Sequence, residues 1–189
     1  AAKHFSAARV AYELLVSRDP NSREQRRAAA VTIAQLADAE AAMGHTDAAR
    51  SAWLAALGHL ERLAASNTAE PRLEWAYGLR GYAMVERRSG RLTTADDTIE
   101  RALRIVESTP ATNDLPSHAY YRAAVLAEIG RSRAAHRRWA DAQQARQRAA
   151  EILRSLAARV PMEADWTEEL RQLEVALAPS RPAHAPGPR

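Results

Sequence analysis

The apolar positions of the chain repeat around two glycine turns. Met43-Gly44-His45-Thr46-Asp47 and Ser89-Gly90-Arg91-Leu92-Thr93 each separate alanine- and leucine-rich runs, and their glycines lie 46 residues apart (90 − 44). After Gly44 come Ala49, Trp53, Ala56 and Leu57; at the same offsets after Gly90 come Ala95, Ile99, Ala102 and Leu103. Before the turns, Ile33, Leu36 and Ala37 recur as Leu79, Tyr82 and Ala83. Spacings of three and four residues put each set on one helix face, so every period predicts two helices joined by a tight turn. A further shift of 47 brings Arg137 into the turn, with Leu126, Ile129 and Gly130 before it and Ala142, Ala149 and Ala150 after it. This third unit is degenerate: it has no turn glycine, and Arg146 stands where Trp53 and Ile99 stood, which predicts partial exposure on that side. At the front, Ala8, Tyr12, Leu15 and Val16 reproduce the offsets of Ala49, Trp53, Ala56 and Leu57. The first helix is therefore expected to be the second half of a pair whose first half is missing, as in the C-terminal portion of a longer protein.

The residue types suit those places. Ala37, Ala83 and Gly130 are small where paired helices must cross at about 8–10 Å. Tyr12, Trp53 and Ile99 are bulky where a gap between successive pairs must be filled, each worth about 1.5–3 kcal/mol when fully buried. Gly44 and Gly90 can take the left-handed conformation that ends a helix. Asp19-Pro20-Asn21-Ser22, Ser66-Asn67-Thr68 before Pro71, and Thr109-Pro110 through Asp114 before Pro116 mark the boundaries, since proline near a helix start excludes helix upstream of it. Ser22 with Gln25 predicts a capping box.

The expected fold is all-α, a right-handed solenoid of helix pairs over residues 1–178. It comprises 1–18 as the second helix of a truncated repeat, repeats at 22–66 and 71–108, a degenerate repeat at 116–159 and a capping helix at 162–178. In the last, Trp166, Leu170, Leu173 and Leu177 form a stripe that covers the final apolar face. Residues 179–189, PSRPAHAPGPR, are too rich in proline to pack and are expected to be a disordered tail.

Composition adds exclusions. The chain has 189 residues, 47% of them hydrophobic and dominated by alanine, with one Phe, which favours helices over strands. Cysteine is absent, ruling out disulfides and thiolate chemistry while leaving the compartment open between cytoplasm and periplasm. The net charge of +4 comes from arginine, Lys3 being the only lysine, and is interleaved with Asp and Glu rather than gathered in a stripe. No apolar run approaches the roughly 20 residues of a membrane span, so no membrane insertion is expected.

A small residue in the first helix, a glycine turn, then Ala49, Trp53 and Ala56 (with Ala95, Ile99 and Ala102) resembles the tetratricopeptide repeat, or TPR. The period exceeds that family's ~34 residues, which implies helices longer by a turn or more. Arg18-Asp19-Pro20 through Gln25-Arg26, Leu36-Ala37-Asp38 and Gly44 through Arg50 look like the repeat tails of bacterial eukaryotic-like serine/threonine kinases. That resemblance implies a sensor or scaffold module of a signalling protein, with the kinase upstream. It would lie in the cytoplasm, or outside it in the sensor part of a membrane kinase.

In the TPR family the first helix of each pair lines a binding groove, which directs attention to Tyr77, Arg80, Met84 and Arg87, with Gln35 and Asp38 in the preceding pair and Glu128 and Arg131 in the following one. The arginines would hold an acidic or C-terminal carboxylate group of a protein or peptide, and Tyr77 and Met84 would add apolar contact. A second basic feature, Arg131, Arg133, Arg137, Arg138, Arg146 and Arg148, offers an alternative as a nucleic-acid-binding or transcription-regulatory surface, although an arginine-rich solvent face explains it better. Self-association through the solenoid ends is a further expectation. The histidines His4, His45, His59, His118, His136 and His184 show no two-ligand spacing on one helix, so no metal or other cofactor is expected. No nucleophile motif, P-loop or acid–base pair stands out, which predicts a non-enzymatic region. Trp53, Trp75, Trp139 and Trp166 are expected to be packing anchors.

Overall fold

The computed structural model describes residues 2–66, 68–110, 115–161 and 163–178, with backbone alone for 2–6, 8 and 9. The expected tail at 179–189 lies outside the described residues. Among those described there are eight α-helices and no strand: α1 (Ala2–Arg18), α2 (Arg23–Ala42), α3 (Thr46–Ala64), α4 (Ala69–Arg88), α5 (Leu92–Ser108), α6 (Pro116–Ala135), α7 (Trp139–Ala157) and α8 (Ala164–Leu177). Each helix packs on its neighbours in sequence. The even-numbered helices also meet one another, α4 lying along α6 while α2 touches α4 and α6 touches α8; the backbones of the odd-numbered helices stay apart, and Arg101 of α5 reaches Glu61 of α3 through its side chain at 2.8 Å.

Three turns inside helix pairs share one geometry. Gly44 and Gly90 have φ of 80° and 77°, and Arg137, in the third turn, takes the same conformation with φ 60°. In each, the residue after the left-handed one bonds back to the fifth residue before it: His45 N to Glu40 O, Arg91 N to Glu86 O and Arg138 N to Arg133 O, all at 2.9 Å. These are Schellman caps. The third is built without glycine, so Arg137 carries a left-handed strain of about 1–2 kcal/mol that the other two turns avoid.

Trp53, 4% exposed, joins α3 to α4. It lies flat on α4 at Gly81, where an added Cβ would come within 2.5 Å of its Cη2; one turn earlier, a Cβ on Gly78 would come within 2.6 Å of Leu60 Cδ1. The sequence pattern placed Trp53 between pairs but did not foresee its seat. Ala37 and Ala83 are fully buried as expected, and Gly130 is close-packed, with Arg146 Cγ 2.7 Å from the place its Cβ would occupy. Arg146 is thus half-buried through its aliphatic stem.

Two core clusters result. One joins α1 to α5 with Val125, Ile129 and Ala145; the other joins Tyr120, Leu126, Leu153, Trp166 and Leu173 across α6, α7 and α8. Helix α6 is buried almost all round, every residue from Ala123 to Gly130 being buried. Helix α8 is the opposite case, with Trp166, Glu169 and Leu173 its buried residues. An isolated helix of 14 residues is marginal in water, so α8 depends on those few contacts.

Some details differ from expectation. Helix α4 begins at Ala69, two residues before Pro71, because a proline in the first turn has no intrahelical acceptor to lose. The capping box is half made: Ser22 Oγ accepts from Gln25 N at 3.3 Å, but Gln25 Oε1 is buried with no partner. Trp139 is not a packing anchor, being 63% exposed at the start of α7. Trp75 is half-buried against the first core, with Arg101 over its ring at 4.5 Å.

Trp53→Ala is expected to cost about 3–5 kcal/mol, read from urea unfolding. Gly81→Ala should be strongly destabilising alone and nearly neutral in the Trp53→Ala background, since the clash goes with the indole; additive losses would refute the seat. Arg137→Gly should stabilise the chain by roughly 1 kcal/mol; a lower urea midpoint would refute strain at that turn.

Candidate functional site

Arginine–carboxylate pairs tie the even-numbered helices to one another and to their neighbours in the chain. Glu86 on α4 is fully buried and accepts from Arg50 Nε of α3 at 2.8 Å and from Arg91 Nε at 2.7 Å. Glu128 on α6, 1% exposed, accepts from Arg87 Nε at 2.6 Å and from Arg131 Nη1 at 3.3 Å. Glu169 on α8 accepts from Arg80 Nη2 at 3.2 Å and from Arg131 Nη2, which also reaches Gln172 Oε1 at 3.1 Å. The result is a chain of charges, Arg87–Glu128–Arg131–Glu169–Arg80, running from α4 over α6 to α8. Buried carboxylates need such partners, because a lone ion in the interior costs several kcal/mol.

Aromatic rings lie beside this chain. Tyr77 of α4 packs on Tyr121 at 4.8 Å and Tyr120 at 5.8 Å between centroids, and Tyr120 stacks on Trp166 of α8 at 5.3 Å and 20°. Arg80 sits over the Tyr77 ring, 5.4 Å from its centroid. Burial opposes the charge on Arg80, but Tyr77, Glu169, Tyr120 and Glu128 outweigh it and raise its pKa. Burial pushes the Tyr121 hydroxyl up to about 12, with the Glu74 charge adding to it.

The candidate groove residues fall into three groups. Gln35 and Asp38 are exposed on α2. Tyr77, Arg80, Met84 and Arg87 on α4, with Arg131 on α6, are half-buried, and the three arginines among them already hold carboxylates of the chain itself. Glu128 corrects the expectation for its position: it is a buried acceptor, not an outward contact. Asp38 is accessible to solvent, yet the protein around it displaces enough water to raise its carboxyl pKa, with Arg80 opposing. The sequence reading missed Glu86 and Glu169, although each stands inside an apolar stripe: Leu79, Tyr82, Ala83 and Glu86, and Trp166, Glu169, Leu170 and Leu173. A carboxylate in a stripe at that spacing signals a buried ion pair.

The arginine-rich stretch is dispersed. Arg131 serves the buried chain of charges, Arg133 meets Glu100 at 3.3 Å, Arg138 meets Asp141 at 2.8 Å, and Arg146 lies on Gly130. Arg148 lines a cleft of about 440 Å³ between the start of α6 and the end of α7, with Arg122, Arg159, Leu115 and Ile152. A cleft of about 550 Å³ lies where α2 and α4 begin, bordered by Tyr12, Val31, Arg27, Glu70 and Glu74.

Chemistry-bearing clusters are few among the described residues. Ser132, Asp96 and His136 meet, but the carboxylate stands in the middle: Ser132 Oγ donates to Asp96 Oδ1, and His136 Nε2 lies 2.7 Å from Asp96 Oδ2. The imidazole has no bond to the hydroxyl and so does not activate it as a base would. No three His, Asp or Glu residues gather as metal ligands among the described residues. No helix among them is long and apolar enough to cross a membrane. Compared with known protein families and with curated proteins, the chain matches no family model and no curated protein.

Arg87→Ala should destabilise the chain by about 3 kcal/mol, because it leaves Glu128 buried with a single cation. Adding Glu128→Leu should recover most of the loss in urea midpoint; no recovery would contradict the pairing.

Burial lowers the pKa of His59, helped by Arg26 and Arg62 and opposed by Glu13; burial lowers that of His118, helped by Arg122 and opposed by Glu70. The folded state therefore resists protonation that the unfolded chain accepts. Stability from these groups is present above the ordinary value of 6.5 and lost as pH falls below it through the folded values. The urea midpoint should drop between about pH 7.5 and 5.5, and His59→Asn should flatten that drop. An unchanged slope in the variant would remove His59 from the account.

Proposed function

We propose that this chain is a TPR-like, right-handed helical-repeat module that binds a protein or peptide and performs no catalysis. The layered contacts support the solenoid reading. Backbones of the even-numbered helices approach one another while those of the odd-numbered ones do not, as expected if the even layer is the shorter, concave arc of a stack. The repeated Schellman turns, built twice on glycine and once on Arg137, support a common helix-pair unit.

One observation carries the binding reading. Arg80 from one helix and Arg131 from another converge on a single carboxylate presented by a third, Glu169. The concave layer is thus built to hold an acidic side chain beside aromatic rings, by charge-assisted bonds that water does not readily replace. Toward α2 the same layer leaves Gln35 and Asp38 open to solvent, with Val31 50% exposed nearby in the chain. A partner polypeptide lying along the layer would meet Asp38 and Gln35 at one end and the Arg80 region at the other. The likeness of its turns and boundaries to kinase repeat tails supports a role as sensor or scaffold in a larger bacterial signalling protein.

Peptides selected from a random library against the full chain should lose at least about tenfold in affinity for Asp38→Arg, a change of roughly 1.4 kcal/mol. Asp38 is exposed, so the variant should keep its helicity and melting temperature. Failure to select any peptide, or equal affinity for both chains, would count against the concave layer as the binding surface.

A further inference from the structure

We propose that α8 is a removable occupant of the α4–α6 face, and that the seat beneath it takes an acidic amphipathic helix from a partner protein, bearing an aromatic residue three positions before a glutamate. This rests on the binding reading above and names the partner's chemistry at one end of the concave layer. The seat has two parts. Tyr120 offers a ring on which Trp166 stacks, and Arg80 with Arg131 grips Glu169 one helical turn further on. Residues three apart lie on one helix face, so any helix with that pair of side chains can make both contacts.

Several observations make α8 an occupant rather than a fixed part of the stack. It is the shortest of the described helices, with three buried residues, whereas α6 has eleven. Its outer face is exposed, including Val175 at 67%. Helix α8 packs along α7, touches α6 at one place and reaches α4 through the Arg80–Glu169 pair, so on the α4–α6 side it is held by side chains more than by helix packing.

The grip on Glu169 is also incomplete. Arg80 reaches it through Nη2 alone at 3.2 Å, while Arg80 Nε is buried with no acceptor. A carboxylate presented squarely would take Nε and Nη2 together, the stronger bidentate arrangement. Removal of α8 leaves Arg131 still paired with Glu128, while Arg80 loses the carboxylate it bonds and is left a largely buried cation that favours a replacement. The occupant's character is written in α8 itself: Asp165, Glu168, Glu169 and Glu174 against Arg171 make an acidic helix for a cationic pair.

The test uses the full chain and a fluorescein-labelled synthetic peptide with the sequence of residues 163–178. By hydrogen exchange of the unaltered protein, α8 amides should open at least about tenfold faster than those of α6. Because Glu169→Gln loosens the resident helix and frees both arginines, the peptide should bind this variant at least about tenfold more tightly than the unaltered chain, by fluorescence anisotropy. A peptide carrying the same Glu→Gln change, or Ala for its tryptophan, should lose that gain.

Equal protection of α8 and α6 would overturn the proposal even if Glu169→Gln failed to fold; so would equal peptide affinity for the two chains. Concentration-dependent dimers that the peptide dissolves would assign the seat to α8 of a second copy and overturn the foreign partner. Hydrogen exchange of α8 reports on the seat without any library peptide, whereas the tenfold loss expected of Asp38→Arg reports on the concave layer. Failure of α8 to yield is therefore distinguishable from failure of the concave layer to bind.

Discussion

The joint between α3 and α4 is where the stack's geometry is most constrained. Trp53 needs a flat surface to bury its indole, and α4 supplies one only because Gly78 and Gly81 project nothing toward α3. A side chain at Gly81 would push the helices apart, and α4 would carry α6 with it, because these two even-numbered helices lie along each other. Close packing transmits such a shift rather than absorbing it. The spacing of the even-numbered helices, and hence the reach of their arginines, follows from one large residue meeting small ones.

Charge completes what packing begins. Glu86, Glu128 and Glu169 each stand where an apolar residue would otherwise fill the core, and each is matched by two arginines from different stretches of chain. Buried ion pairs contribute little net stability when compared with apolar packing, but their geometry is demanding. A slip of one helix along another would leave a buried carboxylate without its donors. The pairs of Glu128 and Glu169 therefore fix the register of α4, α6 and α8, and those of Glu86 the register of α3 on α4, where alanine-rich surfaces alone would tolerate sliding.

Helices and turns were legible because their causes are local. The offsets around Gly44 and Gly90 predicted α2 to α5, and the same offsets found the third turn at Arg137 although its residue type gives no hint of a left-handed conformation. Pro116 marked the start of α6. Trp139 misled, since a tryptophan reads as core until the absence of a covering neighbour is known. The shared side of α4 that carries Tyr77, Arg80, Met84 and Arg87 followed from their spacing. Their partners were not legible, because Glu128 and Glu169 lie 41 and 89 residues from the arginines they pair with.

The amino-acid sequence by itself determined an all-helical chain with a 46- to 47-residue periodicity and turns of one type, since periodic burial and backbone preference act over a few residues. Only the tertiary structure decided which arginines are already held, that Glu128 is buried and not presented, and that α8 places Glu169 between Arg80 and Arg131. Pairing of that kind depends on how far apart two helices stand, and that distance is set by side chains, such as Trp53 on Gly81, that belong to neither member of the pair.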